Sequence, residues 1–297
     1  LCEVICELLR PGHPLAPHLE SLAAELRPLR EYRPDDALSP AAAEALYGRT
    51  LATSVSAMER FGMCPFQFFI GAGLRAERRT LFEADVFRLG SFQHEALAKF
   101  HEALAAEGRR WRDLAPAEAR QRMADIVAAL APDFNLGLFE ATAQNRFTRD
   151  VLGQALQDLV EMMVQWMSTY QFDPARVELS FGLKDAAVPA WALDLGEGRT
   201  LLFRGQIDRI DTCPGPQEGE LLCVVMDYKS SARKLDPLLL EHGIQLQLPA
   251  YLSVLRHVPE MRAALGAQRL VPAGIFYVNL RGKYESGGSR AEALLDP

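Results

Sequence analysis

Two apolar segments joined by a short turn-rich stretch set the strongest limit on how this chain folds. TLLFRGQIDRID (200–211) and ELLCVVMDYKS (220–230) each read as a β-strand, and TCPGPQEGE (212–220) carries the prolines and glycines of a chain reversal. The two strands should therefore pair antiparallel as a hairpin. A turn centred near residues 217–218 puts Asp208 roughly opposite Asp227. Directly opposed residues lie about 4.5–5.5 Å apart at Cα. Side chains alternate along a strand, so Asp227 and Lys229 project from one face. Two carboxylates and an ammonium then converge on one spot, and carboxylates that close repel unless a cation separates them. Oxygen ligands of this hard type suit Mg²⁺ or Mn²⁺. By itself, an aspartate and a lysine one residue apart is more often a solvated strand end than a site.

The surrounding pattern is helical on the N-terminal side. Residues 1–50 are rich in proline, alanine and leucine and read as helical pieces joined by proline turns, a linker or the tail of a preceding domain. Ser54 is placed to cap a short helix, and Cys64-Pro65 to start another with proline at its first position. RLGSFQHEALAKFHEALAAE (88–107) sets Leu89, Phe92, Leu97, Phe100 and Leu104 at helical spacing. Further helices are expected at about 116–131 and 150–170. RVELSFGL (176–183) alternates Val177, Leu179, Phe181 and Leu183 on one face of a strand, with Glu178 on its polar face. Asp236-Pro237 opens a helical region through about residue 257, and AGIFYVNL (273–280) is a further strand. Helices, then a meander of strands, then a helix and another strand imply an α/β or α+β domain rather than a doubly wound one.

Bulk properties exclude several classes. A chain 49% hydrophobic and 24% charged can build a core and is not a disordered one. A net charge of -7 gives no global electrostatic footprint for nucleic acid, although a local groove or a metal site can act within an acidic chain. LCEVICELLR lacks the basic and apolar regions of a signal peptide, and no apolar run approaches the roughly 20 residues that span a bilayer. Five irregularly spaced cysteines do not form a disulfide framework, so the cytoplasm is the default compartment. There is no G-x-x-x-x-G-K-[ST] phosphate loop, which places any ATP-driven motor elsewhere. The start at Leu1 and the abrupt EALLDP ending read as a piece of a longer chain.

GQIDRID, a turn, VVMDYKS and then QLQLPAY, in that order, resemble the PD-(D/E)xK nuclease superfamily, and within it the RecB-like branch. Upstream, SVSAMERFGMCPFQFFIGAGL and RLGSFQHEAL look like the start of the C-terminal nuclease domain of the AddB chains in AddAB helicase–nucleases. The resemblance covers roughly residues 51–280. It implies a restriction-endonuclease-like α/β fold, with a central mixed β-sheet flanked by helices and a helical N-terminal portion. On this reading residues 1–50 are the linker or tail of a helicase-like domain, and 51–297 are a nuclease domain truncated at its C-terminal end. The implied activity is Mg²⁺- or Mn²⁺-dependent exonucleolytic hydrolysis of DNA, on linear duplex ends and single strands, with an AddA-like partner and no membrane.

The resemblance also assigns roles. Asp208 and Asp227 match the metal-binding carboxylates and Lys229 the lysine of the signature. His94, in GSFQHEAL, matches a histidine brought near the metal from a preceding helix, and Glu178 the acidic residue of the first core strand. The main-chain carbonyl of Tyr228 would complete the coordination. Gln247 and Tyr251 match a Q-x-x-x-Y pair that can share a helix face, with Pro249 tolerated near the helix start. Without the resemblance, a histidine on an amphipathic helix more often caps a core edge, and His101 has only that reading. Cys64 matches one ligand of a [4Fe-4S] cluster, which needs four thiolates. Cys2, Cys6, Cys213 and Cys223 do not match the closing triplet, so the cluster is incomplete in this chain and would be closed in the full-length protein. Taken alone, Cys64 is a small buried hydrophobe at a helix start. Two other functions remain open: a catalytically inactive DNA-clamping or scaffold module, and a stand-alone RecB-like nuclease.

Overall fold

The computed structural model describes residues 13–14, 38–76 and 84–280. Most of the helices expected over 1–50, together with Cys2, Cys6 and the tail from residue 281, lie outside the described residues. Contacts divide the chain into two units, Leu1–Gly48 and Arg49–Pro297. The described part of the first unit holds helix α1 (Pro40–Tyr47), started by a Ser39 cap and a proline at its first position.

The second unit runs β1 (Thr50–Ser54), α2 (Val55–Met63), the short α3 (Pro65–Phe68) and a π-helical turn at Phe69–Gly73. Helices α4 (Val86–Ala106), α5 (Pro116–Leu130) and α6 (Ala143–Trp166) follow, then strands β2 (Asp173–Phe181), β3 (Trp191–Gly196), β4 (Arg199–Pro214) and β5 (Glu220–Lys229). The unit closes with α7 (Pro237–Glu241), α8 (Gln247–His257), α9 (Glu260–Ala264) and β6 (Arg269–Asn279). The expected cap at Ser54 is formed: its hydroxyl accepts the Ala57 N–H at 3.1 Å.

The strands form one mixed sheet, and β4 is its spine. Its first part pairs parallel with β1 and antiparallel with β3, and its second part pairs antiparallel with β2 and β5. β6 then adds in parallel to β5. Gly205 lies where β4 passes from one pair of neighbours to the other. A Cβ there would come within 3.3 Å of the Phe181 ring, so glycine is what lets that ring lie against the strand. One apolar cluster packs α4, α5 and α6 together with Tyr228. A second joins the strands to α2, α8 and α9. The expected mixed sheet flanked by helices is therefore the architecture observed.

The hairpin register is the one the turn implied. Arg209 pairs with Met226 and Ile210 with Val225, so the next step along sets Asp208 across from Asp227. Three features differ from expectation. β1 and β3 are additional strands, both short, and β3 is mostly exposed. α6 begins at Ala143 rather than near 150, because Thr142 caps it through the Asn145 N–H. The helical region expected over 236–257 is split into α7 and α8, because Gly243 adopts φ 71°, a left-handed conformation that ends a helix.

Beneath β4 lies a fully buried ion pair. Arg209 and Asp211 alternate onto the same face, and their bidentate contacts measure 2.6 and 2.7 Å. The Trp111 ring covers the guanidinium at 4.7 Å, and its Nη1 reaches the Tyr228 hydroxyl at 3.4 Å. Removing one partner leaves a buried charge without its counter-ion. Asp211→Ala should therefore cost about 3–5 kcal/mol in denaturant unfolding, and Arg209→Met combined with Asp211→Leu should recover most of it. A double variant no more stable than Asp211→Ala would show that the stranded charge is not the cause.

Candidate active site

Asp208 and Asp227 are buried, with 8% and 1% of their surfaces exposed, so the end of β5 is not a solvated terminus. The strand geometry explains how they are held. The β4–β5 ladder stops at Arg209–Met226, and beyond it the Tyr228 N–H donates to Asp208 Oδ2 at 2.7 Å instead. On the other flank of β4, β2 pairs Val177 with Arg209 and Leu179 with Ile207, which sets Glu178 across from Asp208. Glu178 has φ 48°, a left-handed conformation unusual for a residue other than glycine. Its carbonyl accepts from Gln206 Nε2 at 3.1 Å.

α4 supplies the third side. His94 Nδ1 lies 3.2 Å from Glu178 Oε1 and 3.6 Å from Asp208 Oδ1, and its ring meets the Tyr228 ring edge-on at 5.8 Å. The potential ligand atoms of His94, Glu178 and Asp208 all lie within 4.8 Å of one another. Lys229 lies on the opposite side of Asp227, with Nζ 2.5 Å from Asp227 Oδ2 and donating to Gln247 Oε1 at 2.7 Å. The Lys229 ammonium is thus the partner of the buried Asp227 Oδ2. Tyr251, one turn beyond Gln247 on α8, is buried with its ring against Phe181.

The electrostatics are those of crowded carboxylates. Burial and the charge of Asp227 push the Asp208 carboxyl up to about 7. Burial also pushes Asp227 up, against the pull of the Lys229 ammonium. For His94, burial favours the neutral ring, but the Glu178 hydrogen bond and the Asp208 charge outweigh it and raise the net affinity for a proton. Burial drives the Tyr251 phenol upward, and the charges of Asp227 and Asp208 add to it. The Glu178 and Asp208 carboxylates and the His94 imidazole facing one another, with the Asp227 carboxylate acting on Asp208 beside them, are a donor set that a hard divalent cation fits.

The structure thus brings His94, Glu178, Asp208, Asp227, Lys229 and Gln247 together. Tyr228 contributes its N–H and its ring. Glu178, which alternation left on the polar face of its strand and the resemblance assigned to the site, is turned onto His94. His101 is the core-edge histidine expected, accepting from Trp111 Nε1 at 3.3 Å. Cys64 is half-buried before α3, while Cys213 and Cys223 are buried in β4 and β5. One residue was not anticipated. Glu59 of α2 is buried, and its Oε1 accepts the N–H groups of Leu246 and Gln247 at 2.7 and 3.0 Å. It caps α8 from a distant part of the chain. The one available signal was negative: Leu246, at the cap position, has no side chain able to do this.

Sequence comparison covers most of the chain. Residues 52–296 match the PD-(D/E)XK nuclease superfamily. The chain is similar to the B subunit of the ATP-dependent helicase/deoxyribonuclease of Moorella thermoacetica, 34% identical over 291 residues that cover 93% of this chain and 25% of that protein. The protein of the same name from Symbiobacterium thermophilum is 36% identical over 236 residues, 80% of this chain and 20% of that protein. That of Pelotomaculum thermopropionicum is 33% identical over 247 residues, 83% of this chain and 21% of that protein. The chain spans a fifth to a quarter of the length of these relatives.

The raised carboxyls make stability depend on pH in a fixed direction. An unfolded aspartate titrates near about 4, whereas folded Asp208 titrates at about 7. The folded state therefore gains from protonation, and this advantage is complete below about pH 4 and lost as pH rises toward about 7. In EDTA, Asp208→Asn should raise the melting temperature relative to the parent protein at pH 8 and not at pH 4. Equal effects at both pH values would contradict the proposed repulsion.

Proposed function

The chain belongs to the PD-(D/E)XK nuclease superfamily, and we propose that it is a metal-dependent deoxyribonuclease domain that processes double-strand DNA ends within a helicase–nuclease recombination-repair complex. The observation that carries this reading is the convergence of His94, Glu178 and Asp208 beside the Asp227–Lys229 pair. Residues 51–297 would form the nuclease domain, with 1–50 leading in from a helicase-like domain; the compact unit beginning at Arg49 supports that boundary. The relatives' shared name supports an AddA-like partner. No helix among the described residues is long and apolar enough to cross a membrane, in keeping with a cytoplasmic enzyme.

His94, Asp208, Asp227 and the Tyr228 carbonyl would hold Mg²⁺ or Mn²⁺, with Glu178 closing the set. Bound there, a divalent cation would polarise the scissile phosphate and acidify a water. Lys229, fixed between Asp227 and Gln247, is placed to orient the attacking water and to stabilise charge developing on the phosphate oxygens. Gln247 holds that ammonium in position, and Tyr251 backs it from the next turn of α8. Cys64 would give one thiolate to a [4Fe-4S] cluster completed outside this chain. Against a purely DNA-clamping module stands the assembly of the buried Asp208 and Asp227 carboxylates beside Lys229; a clamp has no use for carboxylates that repel phosphate.

Cleavage of linear duplex and single-stranded DNA by the full-length protein with Mg²⁺ tests the reading. Asp227→Ala should abolish cleavage, and Lys229→Ala should lower kcat by about 10²–10³. Gln247→Ala should cost about 10–100-fold, as a residue that acts through the lysine. Undiminished cleavage by both Asp227→Ala and Lys229→Ala would sink the assignment.

A further inference from the structure

The segment joining β5 to α7, residues 230–236, has no regular secondary structure, yet side chains pin it at several points. The Arg233 N–H donates to Asn279 Oδ1 at 2.8 Å. Gln245, only 3% exposed, donates to the Lys234 carbonyl at 2.9 Å and accepts the Asp236 N–H at 2.8 Å. The backbone on both sides of Arg233 is thus held in one shape.

That shape puts the Arg233 guanidinium over the Tyr277 ring, 5.6 Å from its centre. The same ring has Lys229 Nζ at 5.7 Å. Tyr277 is the β6 residue in register with Asp227, so the ring belongs to the wall of the site. Arg233 is half-buried, and its charge acts on Asp227. Several other half-buried arginines are neutralised: Arg112 pairs with Asp173, Arg120 with Asp158 and Glu161, and Arg122 with Glu107 and Glu118, whereas Arg88, also half-buried, stands on α4 away from the Tyr277 ring. Among the described residues no carboxylate lies within ion-pair distance of Arg233. A pinned, partly desolvated guanidinium without a counter-ion is suited to an anion from outside, and its planar fork fits phosphate.

We propose that Arg233 binds a phosphodiester of the DNA strand being cut, next to the scissile phosphate that Lys229 serves. This rests on the nuclease reading above and adds to it a residue that sets where the strand lies. Both cations lie within 5.7 Å of the Tyr277 ring centre. A contact of this kind is to backbone and carries no base preference. It should act mainly on substrate affinity, because it is made before and throughout the reaction.

The test uses the full-length protein and short single-stranded DNA with Mg²⁺, with kcat and KM measured across a series of salt concentrations. Arg233→Met should raise KM about tenfold with much less change in kcat. It should also make the fall of log(kcat/KM) with log[salt] shallower by about 0.7, the value for one lost phosphate contact on a single strand. Arg233→Lys should restore the slope and only part of the affinity, since it keeps the charge and loses the fork. An unchanged KM and slope in Arg233→Met would overturn the inference. So would a parallel drop in melting temperature in both Arg233→Met and Arg233→Lys with the salt slope intact, which marks a packing role on Tyr277. Lys229→Ala is run alongside. If it and Asp227→Ala both cleave like the parent, the nuclease reading fails and the inference falls with it; if they are inactive while Arg233→Met behaves as parent, the inference alone fails.

Discussion

Where β4 and β5 stop pairing decides the character of the site. A regular antiparallel ladder carried one step beyond Arg209–Met226 would spend the backbone groups around Asp208 and Asp227 on each other. Instead the Tyr228 N–H goes to the Asp208 carboxylate, and the Glu178 carbonyl on the other flank goes to the Gln206 side chain. Side chains replace main chain on both sides of one strand position. Each substitution fixes a functional group that a plain ladder would have left to rotate. The left-handed backbone at Glu178 costs on the order of 1–3 kcal/mol, and the carboxylate facing His94 sits at that strained position.

Alternation along the same strands gives the site a floor as well as a face. Asp208, Asp227 and Lys229 point toward α8, while Arg209, Asp211 and Tyr228 point toward the helices on the other side. The buried Arg209–Asp211 pair grips the Tyr228 hydroxyl from below; the Tyr228 backbone and ring meet Asp208 and His94 from above. A buried ion pair adds little net stability over an apolar core of equal volume. What it adds here is direction, because a bidentate guanidinium under a Trp111 ring tolerates one arrangement of its neighbours. Glu59 plays the matching part on the α8 side, tying the helix that carries Gln247 to α2.

The parts of this design that lie close together in sequence could be read from it. The hairpin register followed from the turn around Gln217 and Glu218, and with it the opposition of Asp208 and Asp227. The long amphipathic α4 followed from its apolar spacing, but periodicity could not say that His94 faces carboxylates; only the likeness to known nucleases did. Alternation put Glu178 only on the polar face of its strand, since a left-handed backbone leaves no mark on an alternating pattern, and the likeness to known nucleases alone assigned it to the site. Gly243 was visible, yet the strong proline start at Pro237 suggested that the helix continued through it. Glu59, Arg233 and Tyr277 owe their roles to partners brought together only by the completed sheet and its helices. No window of sequence contains those contacts.

The charge balance explains why so few cations matter. A chain with net charge -7 offers DNA no long-range attraction, and at physiological salt charges more than about 8 Å apart are largely screened. What a phosphate meets is set by the groups within that distance. Glu178, Asp208 and Asp227 against Lys229 leave an excess of negative charge, which repels a phosphodiester as it repels itself. A divalent cation in that cluster offsets the excess, so the same event relieves the carboxylates and makes the site acceptable to DNA. Beyond that balance, Arg233 adds a half-buried positive charge over the Tyr277 ring, with no carboxylate at ion-pair distance among the described residues. On the proposed reading, an acidic domain of this kind would be selective about when it engages DNA: the substrate would be repelled until a divalent ion was bound, and would then be drawn to one side of the site by Arg233.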